Sequence, residues 1–518
     1  MNKEKIKRIK DFFKDINLEK IKYKELQGMK ASFAKKYNLS KLPLTSDILH
    51  ALDIQNPTST FITKPSRTLS GVTILSVMTK PHVCPGNCIF CPSFKDTPKS
   101  YTGFEPASMR GKLNNFNPAK QITDRIKQLE AIGHPTNKLE LIVMGGTFPS
   151  TDYKYQKDFM IKTFQAISNS KSKDLNNLKK ILMKTKRRIV GLTFETRPDY
   201  CDKKIIRRLL DFGGTRVELG VQTTYDDVHV FVKRGHGIKE VIQATKELKD
   251  SGFKVLYHMM IGLPGSDIKR DFESFKEIFS NPDYCPDMIK IYPCLVTEHT
   301  VLEKMYYSQK YIPYTEKEVI NLIADVKEIV PKWVRIMRVQ RDIPATKILA
   351  GITKSNLREL VFKELEKRKT KCNCIRCCEP KQKIESIKSY SIKKIKYAAS
   401  GGTEYFIYAE KKDYLLGFIR LRIPSQPFVK EITENTSIVR ELHVYGQATE
   451  FKNKNIQHIG IGKKLLKLAE TISLKENKTK VAIISGIGVR EYYKKQGYKL
   501  EGAYMVKVIK NDRKRKIN

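Results

Sequence analysis

Three cysteines stand in the run Cys84-Pro-Gly-Asn-Cys88-Ile-Phe-Cys91, a C-x3-C-x2-C spacing. Thiolates so placed can grip three irons of a [4Fe–4S] cluster and leave the fourth iron open. An open iron can bind a substrate, whereas a fully ligated one mainly passes electrons. Structural zinc is the alternative, with His82 as a fourth ligand, although zinc sites usually show paired C-x2-C units. Downstream, Cys372, Cys374, Cys377 and Cys378 form a second group, while Cys201, Cys285 and Cys294 stand apart. In a large chain, tight groups read as metal sites rather than disulfides, with simple unligated thiols as the other option. A third chemical signal is Gln457-His458-Ile459-Gly460-Ile461-Gly462-Lys463. Q-x-x-G-x-G at the start of a helix lets backbone N–H groups and the positive helix end cradle a pyrophosphate. A dinucleotide-binding glycine loop is the rival, but it would follow the first strand of a βαβ unit with an acidic residue ~20 positions on.

These groups need elements to hold them. The chain has 518 residues, 40% of them hydrophobic, enough for roughly three domains with real cores. No apolar run approaches the ~20 residues of a membrane span. The opening Met1-Asn2-Lys3-Glu4-Lys5-Ile6-Lys7-Arg8 has no signal-peptide stretch behind it, so a cytoplasmic protein is expected. Lys and Arg total 98 against 55 Asp and Glu, a formal +43. Such an excess favours a polyanionic partner, because each neutralised phosphate releases counterions. The bland alternative is lysine written at solvated surface positions.

Residues 1–70 are expected as a basic helical region that binds tRNA. Ile6, Ile9, Phe13 and Ile16 share one helical face, with Lys3, Lys5, Lys7, Arg8 and Lys10 as candidate RNA contacts around the rest. An ordinary amphipathic helix with a solvated basic face is equally consistent with that pattern. Over 71–335, strands at Val72–Met78, Leu139–Met144, Arg188–Phe194, Arg216–Gly220, Lys254–Ile261 and Met288–Tyr292 alternate with helices such as Ala119–Ile132. Repeated βα units predict a parallel barrel or open sheet with its site at the C-terminal strand ends. Residues 336–396 read as a Lys-rich linker around the second cysteine group. Residues 397–518 read as a compact α/β block with strands Tyr405–Tyr408, Leu415–Arg422, Thr436–Tyr445 and Val481–Ser485 and a helix starting near Gly462.

The cysteine run, its place after the first strand and Phe90 before the third cysteine resemble the radical S-adenosylmethionine (SAM) superfamily. The resemblance implies a partial (β/α) barrel in which the open iron chelates SAM. It further implies that Gly145 and Gly146 take the methionine amino group, that Gly262 meets the adenine, and that Glu218 lies with Glu195, Arg197 and Gln222 at strand ends. The Gly460–Gly462 run resembles the acetyl-CoA loop of GNAT-type N-acetyltransferases. By that resemblance Glu441, Leu442, His443 and Val444 form a splayed strand that pairs with the pantetheine. Gln457, Gly460, Ile461, Gly462 and Lys463 then hold the pyrophosphate, and Tyr492 and Tyr493 are offered to the thioester as catalytic groups. A phenol of pKa ~10 suits protonation of a leaving thiolate. Packing aromatics are the other reading of that pair.

Both signatures in one chain, with phrases such as Ser100–Arg110 and Tyr504-Met505-Val506-Lys507, resemble the catalytic subunit of Elongator and its stand-alone archaeal and bacterial relatives. That family resemblance implies a tRNA carboxymethyluridine synthase. It uses a [4Fe–4S] cluster, SAM and acetyl-CoA to modify carbon 5 of the wobble uridine. It implies that Lys138 touches acetyl-CoA, and that Cys372, Cys374, Cys377 and Cys378 supply a zinc site in which all four, or three plus a distant group, are ligands. The electron donor is left unidentified, and either a homodimer or Elongator-like accessory subunits fit the family. The alternatives are a protein-lysine acetyltransferase with a structural cluster and a non-catalytic tRNA-binding scaffold.

Overall fold

A computed structural model describes residues 3–16, 21–54, 59–62, 68, 70–380, 389–445 and 460–510. Its first unit is three helices, α1 (Lys3–Phe13), α2 (Tyr23–Lys36) and α3 (Thr45–Ala51). The spacing of Ile9 and Phe13 on α1 puts both against Leu26, Phe33 and Ile48, a small core of its own.

The second unit is a seven-stranded parallel sheet in sequential order β1 to β7. Its strands are β1 (Thr73–Met78), β2 (Lys138–Met144), β3 (Arg188–Thr196), β4 (Arg216–Gln222), β5 (Lys254–Ile261), β6 (Met288–Pro293) and β7 (Arg335–Arg338). The crossovers are helical. They are α4 (Pro106–Leu113) and α5 (Pro118–Ala131), α6 (Tyr153–Ser168) and α7 (Leu175–Leu182), α8 (Lys203–Asp211), α9 (Asp226–Phe231) and α10 (Ile238–Asp250), α11 (Ile268–Ser280), then α12 (Val301–Tyr307) and α13 (Glu316–Ile329). Asp152, Asp202 and Asp267 cap their helices by accepting backbone N–H bonds, which satisfies donors that the first turn leaves open. Leu139, Leu141 and Val143 of β2 face the helices and are buried. Their neighbours Lys138, Glu140, Ile142 and Met144 face the concave side and keep partial exposure.

After α14 (Leu357–Lys367) and α15 (Ile375–Cys378) comes a mixed sheet in the order β13-β14-β12-β11-β10-β9-β8. Its strands are β8 (Ser391–Ala399), β9 (Gly402–Lys411), β10 (Tyr414–Ile423), β11 (Thr436–Val444), β12 (Lys480–Ile484), β13 (Lys499–Glu501) and β14 (Tyr504–Val508). Helices α16 (Ile461–Lys475) and α17 (Arg490–Lys494) complete this unit. Two expected boundaries move. The segment ending at 335 cuts through β7, and the segment expected as linker already contains most of β8. β8 is an edge strand whose Ser391-Ile-Lys-Lys-Ile-Lys reads as loop because lysine guards the unpaired edge.

The two sheets share a seam at the N-terminal ends of the barrel strands. Gly486 and Gly488 lie on the backbone of Val190 and Arg188 so closely that a β-carbon would collide. Ile438, Ala482, Ile484, Ile487, Tyr504 and Val506 join the barrel's own apolar core.

Candidate active site

The cysteine loop leaves the C-terminal end of β1, which is where a parallel sheet presents its catalytic groups. Cys88 is buried and Cys84 and Cys91 are half-buried. Burial, with Cys88 and Cys84 nearby, pushes the Cys91 thiol up to about 11. Basic groups close around the loop. Arg234 donates to Cys88 Sγ at 3.3 Å, and Arg197 fills the space beside Gly86 where a β-carbon would sit. Arg197 Nη1 and Arg234 Nε are buried with no hydrogen-bond partner among the described residues. Buried cations with spare donors suit a cluster of thiolates and sulfides. The three loop sulfurs are not drawn within 4.8 Å of one another, unlike those of Cys372, Cys374 and Cys377, so the loop is spread wider than a single zinc requires.

Gly145 and Gly146 end β2 at φ +124° and +85°. Gly145 has no room for a side chain against Thr79, and Cys84 Sγ lies 3.9 Å from Thr147 just beyond. Gly262 ends β5 at φ +75°, but its N–H donates to Asp271 at 2.6 Å and its C=O accepts from Tyr311 at 2.7 Å. Glu218 departs from its expected place. It is the third residue of β4, inside the barrel, and its carboxylate accepts from Lys290 and from His258 at 2.8 Å. Burial pushes this carboxyl up, and Lys290, His258 and Arg216 outweigh it, holding it below the ordinary range. It is therefore committed to internal pairs rather than offered at a strand end.

Glu218 belongs to a charged layer that the sequence reading missed. Glu195 accepts from Tyr101 at 2.8 Å above it, and Arg216 meets Glu140 at 2.5 Å below it. The signal was present: Glu140, Arg216, Glu218, His258 and Lys290 interrupt strands that a parallel sheet ordinarily fills with apolar residues on both faces.

In the second sheet, β11 pairs with β12 only through Thr436–Val439. Against β10 its register slips by one residue at Arg440. Beyond that bulge the strand parts from β12, and half-buried Glu441, Leu442, His443 and Val444 line the opening. α16 starts beside it. Gly460, at φ +78°, caps the helix, and Gly462 lies with Tyr492 Oη and Val444 Cγ2 at 3.3 and 3.5 Å from where its β-carbon would be. Strand end, helix N-terminus and the Tyr492 phenol thus converge. Lys463 is exposed on the first turn, Ile461 is buried and Gln457 lies outside the described residues. Tyr493 differs from expectation: it is 6% exposed and packs in the core with Tyr498 and Leu465, so only Tyr492 reaches the opening.

Lys138 begins β2 in register with Arg188, and burial and that arginine lower its pKa. Arg188 touches Gly488 next to α17, so this basic pair borders the second domain. Cys372, Cys374 and Cys377 hold their sulfurs within 4.8 Å of one another. Hydrogen bonds from Cys372 and Cys377 hold the Cys374 thiol far below its ordinary value. Cys378 is outside the group and its thiol turns to the Asn373 carbonyl at 3.4 Å, which corrects the four-cysteine expectation. On α1, Lys3, Lys7 and Lys10 are exposed, while Lys5 pairs with Asp47 and Arg8 with Glu4.

A curved parallel sheet with a three-cysteine loop after its first strand defines a radical SAM protein. Models of the radical SAM superfamily and of a radical SAM C-terminal domain match residues 78–277 and 286–367. SAM and a [4Fe–4S] cluster come with that fold. The chain is 51% identical over 465 residues to the tRNA uridine(34) acetyltransferase of Methanocaldococcus jannaschii, covering 86% of each. It is 39% identical over 511 residues to Elongator complex protein 3 of Saccharomyces cerevisiae, covering 93% of this chain and 92% of that one. The solved archaeal Elp3 of Methanocaldococcus infernus, with an N-terminal deletion, matches with a TM-score of 0.77 at 46% identity, covering 85% of this chain and 100% of that one. The chain belongs to the family of the tRNA uridine(34) acetyltransferases and Elongator complex protein 3.

Proposed function

We propose that this chain places a carboxymethyl group on carbon 5 of the wobble uridine of tRNA, using a SAM-derived radical and acetyl-CoA. What supports it most is that both halves face one polar lumen. The cysteine loop stands at the C-terminal strand ends. The splayed end of β11 stands at the opposite ends, where Glu441 is close enough to act on Arg216 and Glu140 on His443. When bound, SAM supplies the hydrogen-abstracting radical. The chain's own residues position and shield it.

Cys84, Cys88 and Cys91 hold the cluster, and Gly145 and Gly146 bring backbone close to the methionine end of SAM, with the turn at Gly262 framing the adenine. The first amides of α16 at Gly460–Lys463 hold the acetyl-CoA pyrophosphate, the strand at Glu441–Val444 pairs with the pantetheine, and Lys138 meets the CoA phosphates. Burial raises the Tyr492 phenol, so it keeps its proton at neutral pH and can give it to a departing thiolate. Cys372, Cys374 and Cys377 hold a structural zinc. The exposed lysines of α1 bind tRNA by counterion release. An electron donor, and either a second copy of this chain or Elongator-like subunits, complete the set of partners, with the cytoplasm as the compartment. No helix among the described residues is long and apolar enough to cross a membrane.

The test is anaerobic incubation of reconstituted protein with SAM, acetyl-CoA, reductant and tRNA, followed by nucleoside mass spectrometry. Carboxymethyluridine at the wobble position is the expected product. Protein acetylation at full rate by a Cys84, Cys88, Cys91 triple variant, beside a wild type that never alters tRNA, would overturn the proposal.

A further inference from the structure

The cluster needs an electron from outside, and one face of its loop is open to solvent. Between the loop and the segment after β4 lies a cleft of about 680 Å³, walled by Pro85 and Asn87 on one side and by Val230, Lys233 and His236 on the other. We propose that this cleft docks a small acidic one-electron carrier protein, which reduces the cluster from there. One electron leaves the carrier and one enters the cluster, and no bond is made or broken. The proposal rests on the radical SAM assignment and does not depend on the RNA substrate.

Three observations converge. First, the far wall is joined directly to the cluster loop. Ile89 N–H donates to the Val232 carbonyl at 3.1 Å, and Arg234 donates to Cys88 Sγ at 3.3 Å. Exposed Lys233 sits between these two contacts, so one layer of chain separates the cleft from the buried cysteine. Electron transfer falls steeply with distance, which favours entry where the covering is thinnest. Second, the loop's other sides have different work. Gly145 and Thr147 stand against Cys84, and Tyr101 with Glu195 closes the lumen side, where SAM and substrate belong.

Third, the rim has the composition of a protein interface. Val230 is 77% exposed and Phe231 52% exposed, side by side at the end of α9. Beneath them Arg234 and Arg197 are buried with an unpartnered guanidinium nitrogen each, and the whole chain carries +43. Positive charge under an apolar rim fits an acidic carrier, steered by charge and seated on aliphatic and aromatic contacts. A phosphate-binding face would instead present several exposed lysines and arginines.

The experiment follows bleaching of the cluster absorbance by stopped flow in anaerobic, reconstituted full-length protein, with reduced flavodoxin as the carrier and dithionite as the control. V230E and K233E alter exposed side chains and are expected to slow reduction by flavodoxin about tenfold or more. Reduction by dithionite, which needs no docking, stays at the wild-type rate. In the wild type the flavodoxin rate falls as salt is raised. Equal flavodoxin rates in wild type and both variants would overturn the proposal. So would a matching loss with dithionite, which would mean a damaged cluster, or a loss of tRNA affinity with reduction unchanged, which would mark an RNA face. Protein that binds no iron would overturn the cluster assignment itself, an outcome read separately by iron analysis.

Discussion

Arg440 and Asp287 meet across the two domains, with two guanidinium nitrogens each 2.6 Å from a different carboxylate oxygen. Arg440 is the bulge residue of β11, and Asp287 immediately precedes β6. The same guanidinium also reaches Glu404 at 2.9 Å and the Phe253 carbonyl at 2.9 Å, and all of this is buried. The residue that turns β11 away from β12 is therefore clamped to the barrel, which fixes the splayed strand relative to the lumen.

Breaking this pair should destabilise the chain and change its response to acid. Burial pushes the Asp287 carboxyl up, but Arg440, Lys249 and Arg420 outweigh it and hold it below the ordinary range; Glu404 is lowered in the same way. A carboxyl lowered on folding stabilises fully above its unfolded pKa of about 4, and the contribution is lost as the pH falls below that value. The calorimetric Tm of the wild type should hold from pH 7 to 5 and fall toward pH 3. D287N leaves a buried guanidinium unpaired, and a loss of about 3–5 kcal/mol at pH 7 with a shallower acid slope is expected. An unchanged Tm would contradict the clamp.

Metal analysis should separate the two cysteine groups. Anaerobically prepared protein should carry about four irons per chain, lost in C84A, C88A or C91A. C372A, C374A and C377A should spare the iron and remove zinc, while C378A, outside the trio, should keep both. Zinc lost with C378A would restore that residue to the site.

The two neighbouring tyrosines should behave differently. Y492F removes the only phenol of the pair that faces the opening, so release of CoA thiol should slow with little change in Tm. Y493F alters a core position and should act mainly on stability. G462V puts branched bulk against Tyr492 Oη and Val444, and acetyl-CoA affinity measured by calorimetry should fall while iron content stays intact. Equal thiol release by wild type and Y492F would remove Tyr492 from the chemistry.

On α1 the exposed lysines should carry the RNA contribution. K3E, K7E and K10E should weaken tRNA binding and flatten its dependence on salt, since fewer phosphates are neutralised. K5E should chiefly lower stability, because Lys5 ties α1 to Asp47 ahead of the second turn of α3. Unchanged tRNA affinity in the triple variant would return that face to plain solvated surface.

Much of the architecture was readable because its signals are local. Apolar runs separated by helical periods located six of the seven barrel strands within two residues, as at Lys254–Ile261. The seventh, Arg335-Ile-Met-Arg, was hidden because it is four residues long with a charge at each end. β8 was hidden by its lysines for the same reason, a shortage of apolar pattern where one face meets solvent.

The sequence by itself determined the kinds of chemistry: three thiols at cluster spacing, glycines where strands end, a glycine-opened helix, and a large positive charge. These depend on residue type and near neighbours, which the chain carries directly. Only the tertiary structure decided which groups share a site. It sent Tyr493 into a core and Tyr492 to the opening, withdrew Cys378 from the cysteine trio, and committed Glu218 to Lys290, 72 residues away. The lumen charges and the Arg440–Asp287 clamp likewise exist only between distant segments. A buried charge is tolerable only where folding brings it a partner, and that pairing is a property of the packed chain.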